Sequence, residues 1–377
     1  MPAFLVLGCA NFYGRALVEQ LCAARPASGG WVIRGVDKVL PELASFPAAT
    51  LALFDTFEYR MGNLRSAAFL ERAFAADQPW DAVFNFATEQ KFGQADGVYA
   101  QDVHQLSVAV AQLAARHAVG ALVQLSTALV YAGVPGRRCT EDDPSAGASG
   151  LAAAHLRAER DVRAVAGLPP LVVLRPALCY GPGDRQNMVP MVISALLSRE
   201  AGEPMPVLWD KALPASTVHV ADVARAAIAA AAHSRRTQTP AALYNLADPG
   251  NTTNGDLARA VATLFGIKPD FQSAAVNFVA KRLRPEELAE EVNQSLLGPW
   301  MALLARHNIA NSPLSPYLDR EHPYCRLEHC PLAVDGARIA ATPGLDFEYH
   351  YPAVSADALR PIVDEFQQVG LWPNIPL

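Results

Sequence analysis

The feature that most restricts what this chain can fold into lies at its start. Phe4-Leu5-Val6-Leu7 is a short apolar run closed by Gly8, and a helical pattern, Arg15–Ala24, opens just beyond a second glycine, Gly14. A buried strand passing through a tight turn into a helix is the first half of a βαβ unit. Gly8 supplies the turn and Gly14 the close helix–strand contact, while the helix N-terminus offers a resting place for a pyrophosphate. Between the glycines stands Asn11, where such turns usually carry a third glycine. Asparagine tolerates a left-handed backbone, so the turn is expected to survive, although the side chain takes up space near an approaching phosphate. Asp37 ends the next strand pattern, Gly35-Val36-Asp37, at about the spacing where an acid hydrogen-bonds an adenosine ribose. Its charge opposes a 2′-phosphate, so the expected ligand is NAD, with NADP disfavoured.

The pattern continues for half the chain. Buried strands are predicted at Trp31–Val36, Ala82–Ala87, Ala121–Ser126 and Leu171–Arg175, with helices over Ala67–Ala76, Tyr99–His117 and Ala152–Ala166. Alternating strands and helices give an α/β fold, a Rossmann-type doubly wound parallel sheet whose ligand lies at the carboxyl ends of the strands. We expect residues 1–180 to form this domain, with a returning strand near 215–250. After Gly181 the chain becomes proline-rich, and residues 181–377 are expected to form a smaller α+β domain over the ligand edge. Within it, 271–377 is an unusual extension ending in a helix at Ser355–Val369.

Composition narrows the function. The 31 basic and 37 acidic residues leave a net charge of −6, and no basic run exceeds Arg235-Arg236, which argues against nucleic acid or an anionic membrane surface. The alanine-rich stretch Val223–Ala232 carries Arg225 and is too short to span a bilayer. Six scattered cysteines read as free thiols of a reducing compartment, so an intracellular, chiefly cytoplasmic setting is expected, with organelle import left open.

Further landmarks then fall into order. Gly62-Asn63-Leu64, Asn85-Phe86-Ala87, Ser126-Thr127-Ala128-Leu129-Val130-Tyr131, Arg175-Pro176 through Tyr180-Gly181-Pro182-Gly183, Val218-His219-Val220-Ala221-Asp222-Val223 and Tyr244-Asn245-Leu246 occur in sequence. As a set over residues 4 to about 266, they resemble an extended short-chain dehydrogenase/reductase of the NAD-dependent epimerase/dehydratase family. The resemblance implies cofactor contacts from Gly8, Asn11, Phe12, Tyr13, Gly14, Asp37, Asn63, Leu64, Phe86, Ala87, Thr127, His155 and Pro176.

The resemblance also implies a Tyr-x-x-x-Lys pair on one helix, in which the lysine lowers the tyrosine pKa and the tyrosine moves a proton during hydride transfer. No such spacing exists anywhere in this chain. Aligned on Glu159, the tyrosine position holds Leu151 and the lysine position His155. Asp102 stands for the supporting asparagine, and Thr127 alone is intact. Two readings are open at this point. One is a degenerate, cofactor-binding protein acting as a sensor or as a subunit that meets other proteins through its C-terminal region. The other is an enzyme of non-standard mechanism on a nucleotide sugar or another hydroxylated molecule, with Tyr180, Tyr131, Cys179 or His155 as acid/base. Core packing with a satisfied hydroxyl is the favoured reading of Tyr131 and Tyr180, and Cys179 reads as a buried thiol. A site plugged by side chains favours the first reading, and an open polar pocket the second.

Two remaining clusters are weaker. His322, Cys325, His329 and Cys330 are soft ligands without zinc-like spacing, so no metal is expected. Arg185, after the Gly181–Gly183 turn, suits a diphosphate or a turn cap. The apolar tail Gly370–Leu377 either tucks back onto the domain or contacts a partner.

Overall fold

The structure is a computed structural model that describes residues 1–26, 30–134 and 136–377. Among the described residues, seven strands form one parallel sheet: β1 (Ala3–Leu7), β2 (Val32–Asp37), β3 (Glu58–Met61), β4 (Ala82–Asn85), β5 (Leu122–Leu125), β6 (Leu171–Pro176) and β10 (Ala241–Leu246). Their order is β10-β6-β5-β4-β1-β2-β3, so the direction of winding reverses between β1 and β4. Ligands of such sheets bind at that reversal.

Burial follows the two-residue period of a strand covered on both faces. On β1, Val6 packs with helices Phe12–Ala24 and Val220–Thr237, while Leu5 and Leu7 face helices Ala67–Phe74 and Leu106–Arg116. Val172 and Leu174 of β6 join the first layer and Leu171 and Val173 the second. The expected strands and helices are present with ends shifted by a few residues. Two features differ from expectation. β3 carries Glu58, Tyr59, Arg60 and Met61 with no buried position, so an edge strand forms without an apolar run to announce it. The helix expected over Tyr99–His117 contains a π-type stretch, Ala100–Gln105, around Asp102.

The remaining strands make two parallel pairs, β7 (Leu178–Tyr180) with β9 (Thr217–His219) and β8 (Met205–Val207) with β11 (Pro269–Phe271). Helices Val189–Ala201, Asn254–Leu264, Pro285–Arg306 and Ala356–Gln368 enclose a separate apolar cluster around Trp209, Trp300 and Trp372. The tail tucks back. Trp372 packs on Trp300 with ring centroids 5.4 Å apart, and Gln367 Nε2 donates to the carbonyls of Pro373 and Ile375, each at 2.9 Å. The extension is woven into the body: Cys139 N donates to Ala333 O, Ser216 N to Leu332 O, and Asp222 receives His350 N and Tyr351 N. Among the described residues, no helix is long and apolar enough to cross a membrane.

Candidate functional site

The glycine turn closes as the sequence requires. Gly8 adopts φ +80°, and a Cβ there would lie 2.6 Å from Ala87 N. A Cβ on Gly14 would lie 2.0 Å from Gly8 O, so only glycine lets the helix start this close to the strand. Asn11 departs from expectation. Its backbone is extended (φ −83°, ψ 174°), not left-handed, and its side chain is the helix N-cap. Oδ1 accepts from Gly14 N at 2.9 Å while Nδ2 donates to Phe86 O at 2.6 Å, pinning the helix start to the end of β4. The two-sided amide of asparagine makes both bonds at once. The N–H groups of Phe12 and Tyr13, in the same first turn, find no acceptor among the described residues.

Above this turn lies a cleft of about 550 Å³ lined by Gly8, Asn11, Phe12, Asp37, Asn63, Leu64 and Ala87, within the usual range for small-molecule sites. Asp37 holds its wall in place, accepting Ala10 N at 3.0 Å on one oxygen and Lys38 N and Val39 N on the other. Burial raises its pKa despite these bonds. Phe86 gives its carbonyl to Asn11, with its ring in the core, and Pro176 is buried at the end of β6, outside the lining of this cleft. Arg185 lines the cleft, with Nη2 donating to Ala44 O at 2.5 Å.

Several cleft residues escaped sequence reasoning. Arg15 sends Nη1 and Nη2 to Glu365 of the C-terminal helix at 2.5 and 2.8 Å. A cation in the first turn opposes the helix dipole, and that mismatch is the signal that an anion must be near. Asp102 pairs with Arg65 at the cleft edge. Among the described residues, Thr88 Oγ1 and Gln90 Nε2 are buried without a hydrogen-bond partner, in a stretch that lines both this cleft and the next cavity.

At the far end, toward β5 and helix Gly150–Arg163, the space shrinks to about 50 Å³. Tyr13, Thr127, Leu151, His155 and Cys179 line it, so three of the four positions compared with the family's catalytic set meet here, while Asp102 lines the larger cleft instead. Helix Gly150–Arg163 is capped by Ser149 and by Glu321, which accepts Gly150 N at 2.9 Å. His155 is 3% exposed, and burial lowers its pKa to about 4, so the imidazole is neutral near pH 7. Tyr13 is the phenol that lines this cavity. Burial and the neighbouring Cys179 and Asp184 push its pKa up, the opposite of what a tyrosinate base requires.

The other acid/base candidates serve the scaffold. Tyr131 donates to Asn245 Oδ1 at 2.8 Å and accepts Arg175 Nη1 at 2.7 Å. Tyr180 does not reach the cavity, a correction to its candidacy. It packs edge-on against His219 in the C-terminal core and donates weakly to Ala353 O at 3.4 Å. Glu159 binds Arg175 at 2.7 and 2.9 Å and accepts Ser126 Oγ at 2.6 Å. His219 caps the next helix. His322 Nε2 donates to the carbonyls of Gln186 and Asn187, both 3.1 Å away. Among the described residues, no three metal-ligating side chains converge.

The model of the NAD-dependent epimerase/dehydratase family matches residues 4–247. A dTDP-glucose 4,6-dehydratase of Streptomyces niveus is 27% identical over 232 residues, 59% of this chain and 66% of that protein, so the chain spans just under two thirds of the relative. The solved dTDP-glucose 4,6-dehydratase DesIV of Streptomyces venezuelae, a double mutant with NAD bound, overlays with a TM-score of 0.65 at 21% identity over 98% of both chains. A UDP-glucose 4-epimerase reaches 0.67 at 15% identity, covering 97% of this chain and 98% of that one. At such identities the structural likeness establishes the fold, and the family match establishes kinship: this chain belongs to the NAD-dependent epimerase/dehydratase family.

Proposed function

We propose that the chain is an NAD-binding member of this family that has given up tyrosine-dependent redox catalysis and acts by binding, as a metabolite sensor or a subunit of an assembly. The observation that carries this reading is the 50 Å³ cavity in which Leu151 and His155 face Thr127. Leucine has no proton to give, and a neutral imidazole supplies no fixed positive charge to stabilise a phenolate.

The residues of the larger cleft suit the adenosine and pyrophosphate portion of NAD. The free N–H groups of Phe12 and Tyr13 would receive phosphate oxygens, Asp37 the ribose hydroxyls, and Asn63 and Leu64 the adenine. Bound NAD would bring a hydride acceptor, but the groups beside it would position it without moving a proton. Arg15 and Arg185 add positive charge at the phosphate end, with Glu365 as Arg15's partner when no phosphate is there.

The test is a calorimetric titration of the purified chain with NAD and NADP, followed by incubation with NAD and either dTDP-glucose or UDP-glucose. Micromolar NAD binding with no NADH and no altered sugar is expected. Robust turnover of either sugar nucleotide would overturn the degenerate reading. Absence of NAD binding would overturn the cofactor reading.

A further inference from the structure

Beside the small cavity lies a chamber of about 770 Å³. Its walls are Met191 of helix Val189–Ala201, Val207 and Leu208 at β8, Leu257, and Leu288 and Leu296 of helix Pro285–Arg306. No lysine or arginine among the described residues lines it, and its one acidic residue, Glu291, lies on an exposed stretch at the rim. A nucleotide sugar carries two negative charges on its diphosphate, which sites meet with cations or aligned N–H groups. Arg185, the sequence's candidate for that role, is turned instead toward Ala44 in the dinucleotide cleft.

Two of the wall's polar side chains are occupied. Tyr324 Oη accepts Leu208 N at 3.0 Å, and the His322 ring spans Tyr324 N and the carbonyls of Gln186 and Asn187. Four polar side chains of the wall, Asn187, Ser194, Gln272 and Glu291, form no hydrogen bond among the described residues, and of these Asn187 alone also lines the dinucleotide cleft and the small cavity. At the opposite end, Val276 and Val279 line the chamber while remaining 43% and 59% exposed, so the chamber opens past helix Ala274–Ala280. Ser295 faces this mouth from an exposed stretch of the neighbouring helix.

We propose that this chamber binds an elongated, uncharged lipophilic molecule bearing a hydroxyl or carbonyl, its apolar body among the leucines and valines and its polar end at Asn187. A chamber this size and this apolar is poorly satisfied by water, whereas an aliphatic chain matches its lining. The hydroxyl or carbonyl would then sit where Leu178, Asn187 and Pro323 are shared with the cavity of Thr127 and His155. The inference is separable from NAD binding, because the chamber and the dinucleotide cleft have only Asn187 in common.

The experiment is a fluorescence titration of the full chain with Nile red, with and without NAD, followed by displacement. Saturable one-to-one binding is expected, with displacement by 1-dodecanol in the micromolar range, more weakly by dodecanoate, and not by UDP-glucose. Val279→Glu and Ser295→Trp, both at the exposed mouth, should weaken binding tenfold or more with unchanged Tm. Asn187→Ala should weaken dodecanol several-fold and leave Nile red unaffected. Absence of saturable binding, displacement by UDP-glucose, or mouth variants that bind like the parent would each overturn the proposal.

Discussion

Glu159→Gln is the sharpest probe of how the site is held together. The carboxylate is 2% exposed and takes two hydrogen bonds from Arg175, itself 4% exposed, and one from Ser126. Burial would raise its pKa, but the Arg175 guanidinium and the Ser126 hydroxyl hold it below the ordinary glutamate value. Glutamine keeps the shape and removes the charge, leaving Arg175 buried with its cation uncompensated and an N–H₂ turned toward donors. Breaking one partner of a buried pair costs about 3–5 kcal/mol. At about 2.1 cal/mol/K per residue, unfolding 377 residues carries an entropy of roughly 0.8 kcal/mol/K, so Tm should fall by about 4–6 °C. Differential scanning calorimetry at pH 7 measures it, with Arg163→Ala as control, since Arg163 is half-exposed and only flanks Glu159 at 3.4 Å. NAD affinity should change less than threefold, because the adenosine end of the cleft is built from other strands. A Tm within about 1 °C of the parent would refute the claim that this pair locks β6 to the helix of Leu151 and His155.

Three further outcomes follow from the same structure. His155, His219 and His322 are buried with pKa lowered to about 4, so the unfolded chain binds more protons below about pH 6.5 and stability falls as pH drops; Asp184 and Asp248, raised to about 6 by burial, oppose this from below pH 6. The net loss between pH 7 and 5.5 is about 2 kcal/mol, or about 3 °C in a calorimetric scan, and a flat or rising Tm would contradict it. Gly14→Ala puts a methyl 2.0 Å from Gly8 O and should lower both Tm and NAD affinity, the latter at least tenfold by calorimetry. Asp37→Ser should narrow the preference for NAD over NADP by about tenfold, on the order of the 1–4 kcal/mol between like charges a few ångströms apart, and an unchanged ratio would remove Asp37 from that role.

The parts legible in the sequence were those with a periodic or steric signature. Parallel strands buried on both faces are predominantly apolar, so β1, β2, β4, β5 and β6 announced themselves, whereas the edge strand β3, charged and without a buried position, could not. The glycines were legible because no other residue fits beneath Ala87 or against Gly8 O. Asn11 was recognised as a substitution but misread in its backbone, since an N-cap bond to Gly14 and a reach to Phe86 depend on β4 being adjacent. The pairing of Arg15 with Glu365 joins residues 350 apart and has no local trace beyond an arginine in an unfavourable first turn. The apolar chamber was invisible for a related reason: its wall residues are ordinary core residues until the fold leaves space between them.

The buried network explains how a chain can look so like its family while leucine and histidine stand at the positions compared with the family's tyrosine and lysine. Tyr131, Glu159, Arg175 and Asn245 all belong to the landmarks by which the resemblance is recognised, and all four bond to one another or to Arg175's neighbours between β5, β6, β10 and helix Gly150–Arg163. Removing any of them strands a buried polar partner, so folding itself demands their presence. Leu151, His155 and Glu159 share one helix face at four-residue spacing, but only Glu159 is tied to this network. Stability asks nothing of positions 151 and 155 beyond filling space, and a leucine and a neutral imidazole fill it. Landmarks enforced by packing therefore report the fold, and the reaction must be read from the two positions that packing leaves free.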